Sequence, residues 1–162
     1  MKITNFQGPL VNKRQFERVV SMVDEAMAKG AKCVYGGGKS DLGGLHYNPT
    51  ILTDLTPEME IFKDEVFGPV LAVMKFTEEQ EAVDLANDSP VGLAGYFYSN
   101  DVRQCWRVGK KMETGMVGIN EGMMSCAEGA FGGVKESGIG REGSKYGIDE
   151  YSEIKYLCFG NL

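Results

Sequence analysis

From residue 13 to residue 119 the chain alternates between two hydrophobic periods, and that alternation confines it to an α/β fold. Residues 13–29 place Phe16, Val19, Val20, Val23, Ala26 and Met27 at three- and four-residue steps, with charges on the other face. Asn12 precedes this helix and Gly30 stops it. The run 31–35 predicts a short buried strand, closed by Gly36-Gly37-Gly38. A loop over 42–47 leads to a second extended piece at 49–52, and Pro57 opens a helical turn over 58–62. The bulky run 70–76 predicts a strong strand, after which Thr77 caps a helix, with Gln80 completing a capping box. That helix carries Ala82, Val83, Leu85 and Ala86 and ends near Asn87. Residues 93–98 predict a strand, and Asp101 caps a third helix with Val102, Cys105, Trp106 and Val108 on its apolar side. A further strand falls at 116–119, beside Gly115 and including Gly118.

Strands alternating with helices in this way indicate βαβ units and a mainly parallel sheet with flanking helices. No stretch reads as a linker and no internal repeat is present. Residues 152–159 alternate as a strand after the α/β pattern has closed. Lacking a local hairpin partner, that strand is expected to pair with something distant, such as another subunit's sheet.

At 162 residues the chain suffices for one domain with a hydrophobic core, and 43% apolar with 25% charged residues is ordinary for a globular protein. The 17 basic against 23 acidic residues, a net charge of −6, argue against a nucleic-acid binder, which needs a clustered basic face. No apolar run is long enough to span a membrane. The opening MKITNFQGPLVNKRQF has neither the apolar stretch of a signal peptide nor the pattern of a transit peptide. Cys33, Cys105, Cys126 and Cys158 form no C-x-x-C pair, and with the single His46 they predict free thiols and no zinc site.

Two glycine motifs resemble phosphate-binding loops and fail on context. Gly36–Ser40 (GGGKS) ends like a P-loop, but the first glycine of that motif would fall on Cys33, and a polar loop follows where a helix is required. Gly138 to Gly143 spells G-x-G-x-x-G, yet residues 134–137 before it are polar and no acid stands about twenty residues on; it is expected to be a packed turn entering a short helix. Glu65-Val66-Phe67-Gly68-Pro69 is different. Gly68-Pro69 turns the chain sharply before the 70–76 strand and leaves Glu65 and Phe67 at its entrance. A carboxylate can accept two ribose hydroxyls and an aromatic ring can pack a flat ring, although a surface acid beside a core phenylalanine fits the same residues. Asn120 to Phe131 (NEGMMSCAEGAF) is an aperiodic loop at a strand end, where open α/β folds keep their ligands. Within it Ser125 reads either as a ligand contact or as a solvated loop serine. Cys126 has no base near it in sequence.

These segments, with GPLVN at 8–12, PVGLAGYFYS at 90–99, MVGINEG at 116–122 and GREGSKYGIDEY at 140–151, resemble the C-terminal part of an aldehyde dehydrogenase, closest to the succinate-semialdehyde dehydrogenase branch. The resemblance runs from about Gln7 to Leu162 and implies a partial catalytic domain over 1–147, with an oligomerisation strand in a tail over 148–162. It implies that Glu65 contacts the nicotinamide ribose of NAD, NADP being possible, and that Phe67 lies beside the nicotinamide. It implies that Ser125 bonds the distal carboxylate of an aldehyde substrate and that Phe131 walls the aldehyde pocket. In that family the nucleophilic cysteine, the general-base glutamate, the oxyanion asparagine and the dinucleotide phosphate site lie upstream of the matched region. The chain alone is therefore expected to be inactive, with exposed apolar patches, homo-oligomeric (a homotetramer) through its last strand, and mitochondrial, or cytoplasmic as the alternative. The parent reaction, oxidation of succinate semialdehyde to succinate, belongs to 4-aminobutyrate degradation. A catalytically inactive interaction module derived from the same fold is the second expectation.

Overall fold

A computed structural model describes residues 7–161; the residues 1–6 read for a leader, and Leu162, lie outside them. The chain divides after Lys75 into two compact units.

The first unit is organised by helix α1 (Lys13–Ala28), which ends at a Lys29 cap as its spacing predicts. The Asn12 side chain accepts the Gln15 N–H at 2.9 Å and satisfies a helix donor that would otherwise have no partner. Its buried face is Phe16, Val19, Met22, Val23 and Ala26. This face packs with Ala31, Tyr47, Leu52, Leu55, Met59 and Ile61 into one cluster, where each large apolar side chain contributes roughly 1.5–3 kcal/mol. Beneath the cluster lies a three-stranded sheet in the order β1 (Lys32–Tyr35), β2 (Thr50–Thr53), β3 (Val70–Ala72). Pair β1/β2 is antiparallel and β2/β3 parallel. The short helix α2 (Glu60–Lys63) falls between β2 and β3.

Two expectations fail here. The 31–35 strand is exposed over most of its length, because it is an edge strand and the central β2 takes the buried positions. The 70–76 strand is three residues long, because its ladder partner β2 ends at Thr53. Glycines 36–38 do form a turn against β2: the Gly37 N–H donates to the buried Thr50 hydroxyl at 2.9 Å, and that hydroxyl donates to the Asn48 carbonyl at 2.8 Å. A glycine N–H committed inward in this way is unavailable to a phosphate.

The second unit contains α3 (Glu79–Asn87), a parallel pair of β5 (Ala94–Phe97) with β6 (Met116–Ile119), and α4 (Val102–Lys111) connecting them as a βαβ unit. A second, antiparallel pair joins β4 (Val91–Gly92) to β7 (Val134–Lys135). Among the described residues, three small sheets with as many antiparallel as parallel strand pairings stand in place of the expected mainly parallel sheet. The cap of α3 is Glu78, one residue later than Thr77, and its box partner is Glu81 in place of Gln80. Glu81 accepts the N–H of Thr77 at 2.9 Å and of Glu78 at 3.4 Å, and these bonds hold its carboxyl below the usual carboxylate range. Asp101 caps α4 as expected, accepting the Arg103 N–H at 2.8 Å. Of the apolar side assigned to α4, only Val108 is buried, while Val102 and Trp106 are about two-thirds exposed at 67% and 68%. A 3₁₀ helix, Lys145–Tyr151, follows the G-x-G-x-x-G stretch, as a packed turn entering a short helix requires. The expected strand over 152–159 has no ladder partner and no regular structure, and its side chains are exposed. A strand exists only through the bonds of its neighbour, so alternation of side chains alone does not produce one.

Candidate functional site

In the first unit, two side chains of α1 reach the segment ahead of β3. Gln15 Nε2 donates to the carbonyls of Val66 at 2.8 Å and Phe67 at 3.0 Å. Arg18 Nη1 donates to the Glu65 carbonyl at 2.7 Å, and its Nη2 stands 3.6 Å from the Asp64 carboxylate. The backbone is thus clamped by side chains while the side chains of Glu65 and Phe67 remain free. Among the described residues no hydrogen bond or ion pair engages the Glu65 carboxylate. Phe67 is 71% exposed and takes no part in the core of the first unit. Its φ of +47° lies in the left-handed region, costing a bulky residue about 1–2 kcal/mol. Such strain persists only where the surroundings impose it. Gly68 contributes to it: a Cβ there would stand 2.7 Å from Val19 Cγ2, so the turn presses directly on α1.

In the second unit, Ser125 and Phe131 line one pocket of about 260 Å³ together with Met124, Cys126 and residues 115–117 of the β6 start. Ser125 is exposed, and Phe131 is 38% exposed. Phe131 is fixed by a two-residue bridge: its N–H donates to the Glu142 carbonyl at 2.9 Å, and the Glu142 N–H returns a bond at 2.7 Å. Arg141 braces the adjoining turn by donating through Nη1 to the carbonyls of Gly133 at 2.8 Å and Gly140 at 2.7 Å. The Ser144 N–H donates to the Ala127 carbonyl at 2.9 Å, pinning the middle of the loop. Gly143, with φ +65°, leaves only 3.1–3.2 Å between a would-be Cβ and the carbonyls of Gly129 and Ala127. The G-x-G-x-x-G stretch therefore backs the Ser125 loop. Cys126 borders the pocket, but the sole histidine, His46, belongs to the first unit, so the second unit supplies no imidazole base.

The backbone clamps Gln15 and Arg18 and the braces Arg141 and Ser144 were not found by sequence reasoning. Each acts on a main-chain carbonyl or amide, and only spacing within the helix (Gln15 and Arg18 share a face at i, i+3) hinted at the first pair. No cluster of His, Cys, Asp and Glu able to hold a metal occurs among the described residues, and none of their helices is long and apolar enough to cross a membrane.

The chain thus presents an acid and an aromatic ring ahead of β3 and, in the second unit, a serine-lined pocket beside the start of β6. The chain belongs to the aldehyde dehydrogenase family, whose model matches residues 1–157. It is 55% identical over 156 residues to the mitochondrial succinate-semialdehyde dehydrogenase of Rattus norvegicus, covering 96% of this chain and 30% of that protein. The crystal structure of succinate-semialdehyde dehydrogenase from Burkholderia pseudomallei superposes with a TM-score of 0.93 at 47% identity, covering 98% of this chain and 33% of that one. An NAD+ complex of an aldehyde dehydrogenase from Bacillus cereus gives 0.89 at 38% identity, covering 96% and 32%. The chain thus spans about a third of the length of the relatives it matches.

Proposed function

We propose that the chain is the C-terminal portion of an NAD(P)-dependent succinate-semialdehyde dehydrogenase, supplying cofactor and substrate contacts for chemistry whose reactive groups lie elsewhere in the polypeptide. The observation that carries this reading is the placement of Ser125 and Phe131 on one pocket, in a chain whose relatives bear that enzyme's name. Ser125 would donate its hydroxyl to the distal carboxylate of the aldehyde, and Phe131 would pack the carbon chain. Glu65 would accept the ribose hydroxyls of the nicotinamide nucleotide and Phe67 would lie along its ring. The unpaired carboxylate and the exposed, strained ring fit that group, which when bound accepts hydride from the substrate. The cysteine nucleophile, general base and oxyanion donor that such a reaction needs are assigned to the remaining two-thirds of the protein. Mitochondrial localisation follows the name of the rat relative, with the cytoplasm as the alternative. The run 152–159, in a tail over 148–162, is assigned to strand pairing with another subunit in a homo-oligomer, and 1–147 to the catalytic portion.

A second reading, an inactive interaction module of the same fold, is favoured by the same exposed run, which carries Ile154, Tyr156, Leu157 and Phe159 without cover. Two measurements test the first reading. The purified chain should not reduce NAD with succinate semialdehyde; turnover by the chain alone would overturn the assignment of the reactive groups. In an enzyme carrying this segment, Ser125→Ala should raise KM for the carboxylated aldehyde about tenfold, the worth of a hydrogen bond to a charged group. An unchanged KM would remove Ser125 from the substrate site.

A further inference from the structure

We propose that Asn120 is a positioning residue for substrate recognition, setting the path of the loop that carries Ser125; this rests on the assignment of Ser125 to the substrate pocket. The parallel ladder of β5 and β6 ends at the pair Phe97 and Ile119. The next residue continues it by two means. The Asn120 N–H donates to the Phe97 carbonyl at 2.9 Å. Its side chain then takes the place of a further rung: Oδ1 accepts the Ser99 N–H at 2.8 Å and Nδ2 donates to the Ser99 carbonyl at 2.8 Å. A carboxamide is the one side chain of this length that offers both an acceptor and a donor to a peptide group. The backbone of Asn120 meanwhile sits at φ +56°, a conformation that asparagine tolerates and most residues do not. Latch and turn therefore meet in one residue, and the chain leaves the sheet there in a fixed direction.

What lies downstream is the pocket. Ser125 stands between two anchors: the Asn120 latch and the Ala127 carbonyl held by the Ser144 N–H. The third anchor, the Phe131 and Glu142 bridge, fixes the far end. The latch itself is rigid, because Ser99 is held in turn. Its hydroxyl donates to Gln104 Oε1 at 2.5 Å and accepts the Asp101 N–H at 3.1 Å at the start of α4. Removing the Asn120 side chain would leave only its backbone bond to Phe97 on the upstream side of Ser125, and a hydroxyl that must meet a carboxylate in one orientation is sensitive to such freedom.

Asn120→Gly keeps the positive φ and deletes the latch, so it separates the two roles. In the chain as it stands, hydrogen exchange followed by mass spectrometry should show amides of 121–127 exchanging at least about tenfold faster in this variant, with α1 unchanged. In an enzyme carrying this segment, KM for succinate semialdehyde should rise about tenfold with kcat within about threefold, while KM for propanal stays constant. Asn120→Asp retains the acceptor and loses the donor; it should give an intermediate rise, and it decides the matter if the glycine variant does not fold. Unaltered loop exchange, or an equal rise in KM for both aldehydes, overturns the proposal. If Ser125→Ala leaves the charged aldehyde's KM unchanged while Asn120→Gly still frees the loop, the Ser125 assignment fails and the latch does not.

Discussion

The two units bury their apolar residues very differently. In the first, eleven buried residues from α1, α2, β2 and the connecting segments form one cluster, centred on Val19, Met22, Leu52 and Met59. In the second, Val83 and Val108 are the buried hydrophobics among the described residues, while Leu93, Tyr96, Tyr98, Val102, Trp106, Met123 and Ile148 are open. Apolar exposure on this scale marks a surface that is covered in the working protein. The first unit thus contains its own core. The second has its elements but little core of its own, in a chain spanning about a third of its relatives' length.

That contrast can be broken by mutation. The largest effect is expected at Leu52→Ala, which opens a cavity in the first unit and should cost about 2–5 kcal/mol in a denaturant melt. Trp106→Ala, which removes a larger side chain from the second unit, should change stability by less than about 0.5 kcal/mol. Equal losses would mean that the second unit has a core of its own. A smaller effect of opposite sign is expected at Phe67→Gly. Relief of the positive φ outweighs the added freedom of glycine, so the chain should melt with about 0.5 kcal/mol more stability while affinity for a nicotinamide nucleotide falls. Lower stability would show that the ring packs on the protein and not on a ligand.

The smallest effect concerns acid. Arg107 donates to Glu79 through Nε at 2.7 Å and Nη2 at 2.6 Å, Gln104 adds a bond at 3.0 Å, and the Glu79 carboxyl is pulled from 4.5 to about 2. A carboxyl whose folded value is depressed contributes stability above its unfolded value and loses it as pH falls through the folded one. The α3 and α4 contact should therefore weaken between about pH 4.5 and pH 2, read as a falling melting temperature over that window. Glu79→Gln should flatten the dependence, and the pair's exposure keeps its size small.

What was legible in the sequence divides along similar lines. Helix α1 could be read to within a residue because Phe16, Val19, Val23 and Ala26 feed a real core and Asn12 supplies a real cap. The β5, α4, β6 unit was legible from its period and from Asp101. The cap of α3 slipped by one position because Thr77 and Glu78 both precede acids and amides that can close a box. Edge strands were misjudged, since Cys33, Val34 and Tyr35 have the composition of an interior strand and only pairing order reveals that β1 lies at the margin. The tail shows the same limit more strongly: its alternation suggests a strand, and no ladder partner forms one among the described residues. At the proposed site, Glu65 with Phe67 and Ser125 with Phe131 were singled out by motif. The main-chain contacts of Gln15, Arg18, Asn120 and Ser144 around them were not, because such contacts leave no pattern in side-chain spacing.

The glycine stretch from 138 to 143 has a practical consequence for genetics. It spells a dinucleotide clasp but serves as the wall behind a loop, and at Gly143 the φ of +65° strains any side chain whose Cβ would also crowd the Gly129 and Ala127 carbonyls at 3.1–3.2 Å. A variant there would push on Ala127 and Gly129 and disturb Ser125 from behind. An observer scoring the defect by motif would record lost cofactor binding, whereas the role proposed for Ser125 puts the damage in substrate recognition.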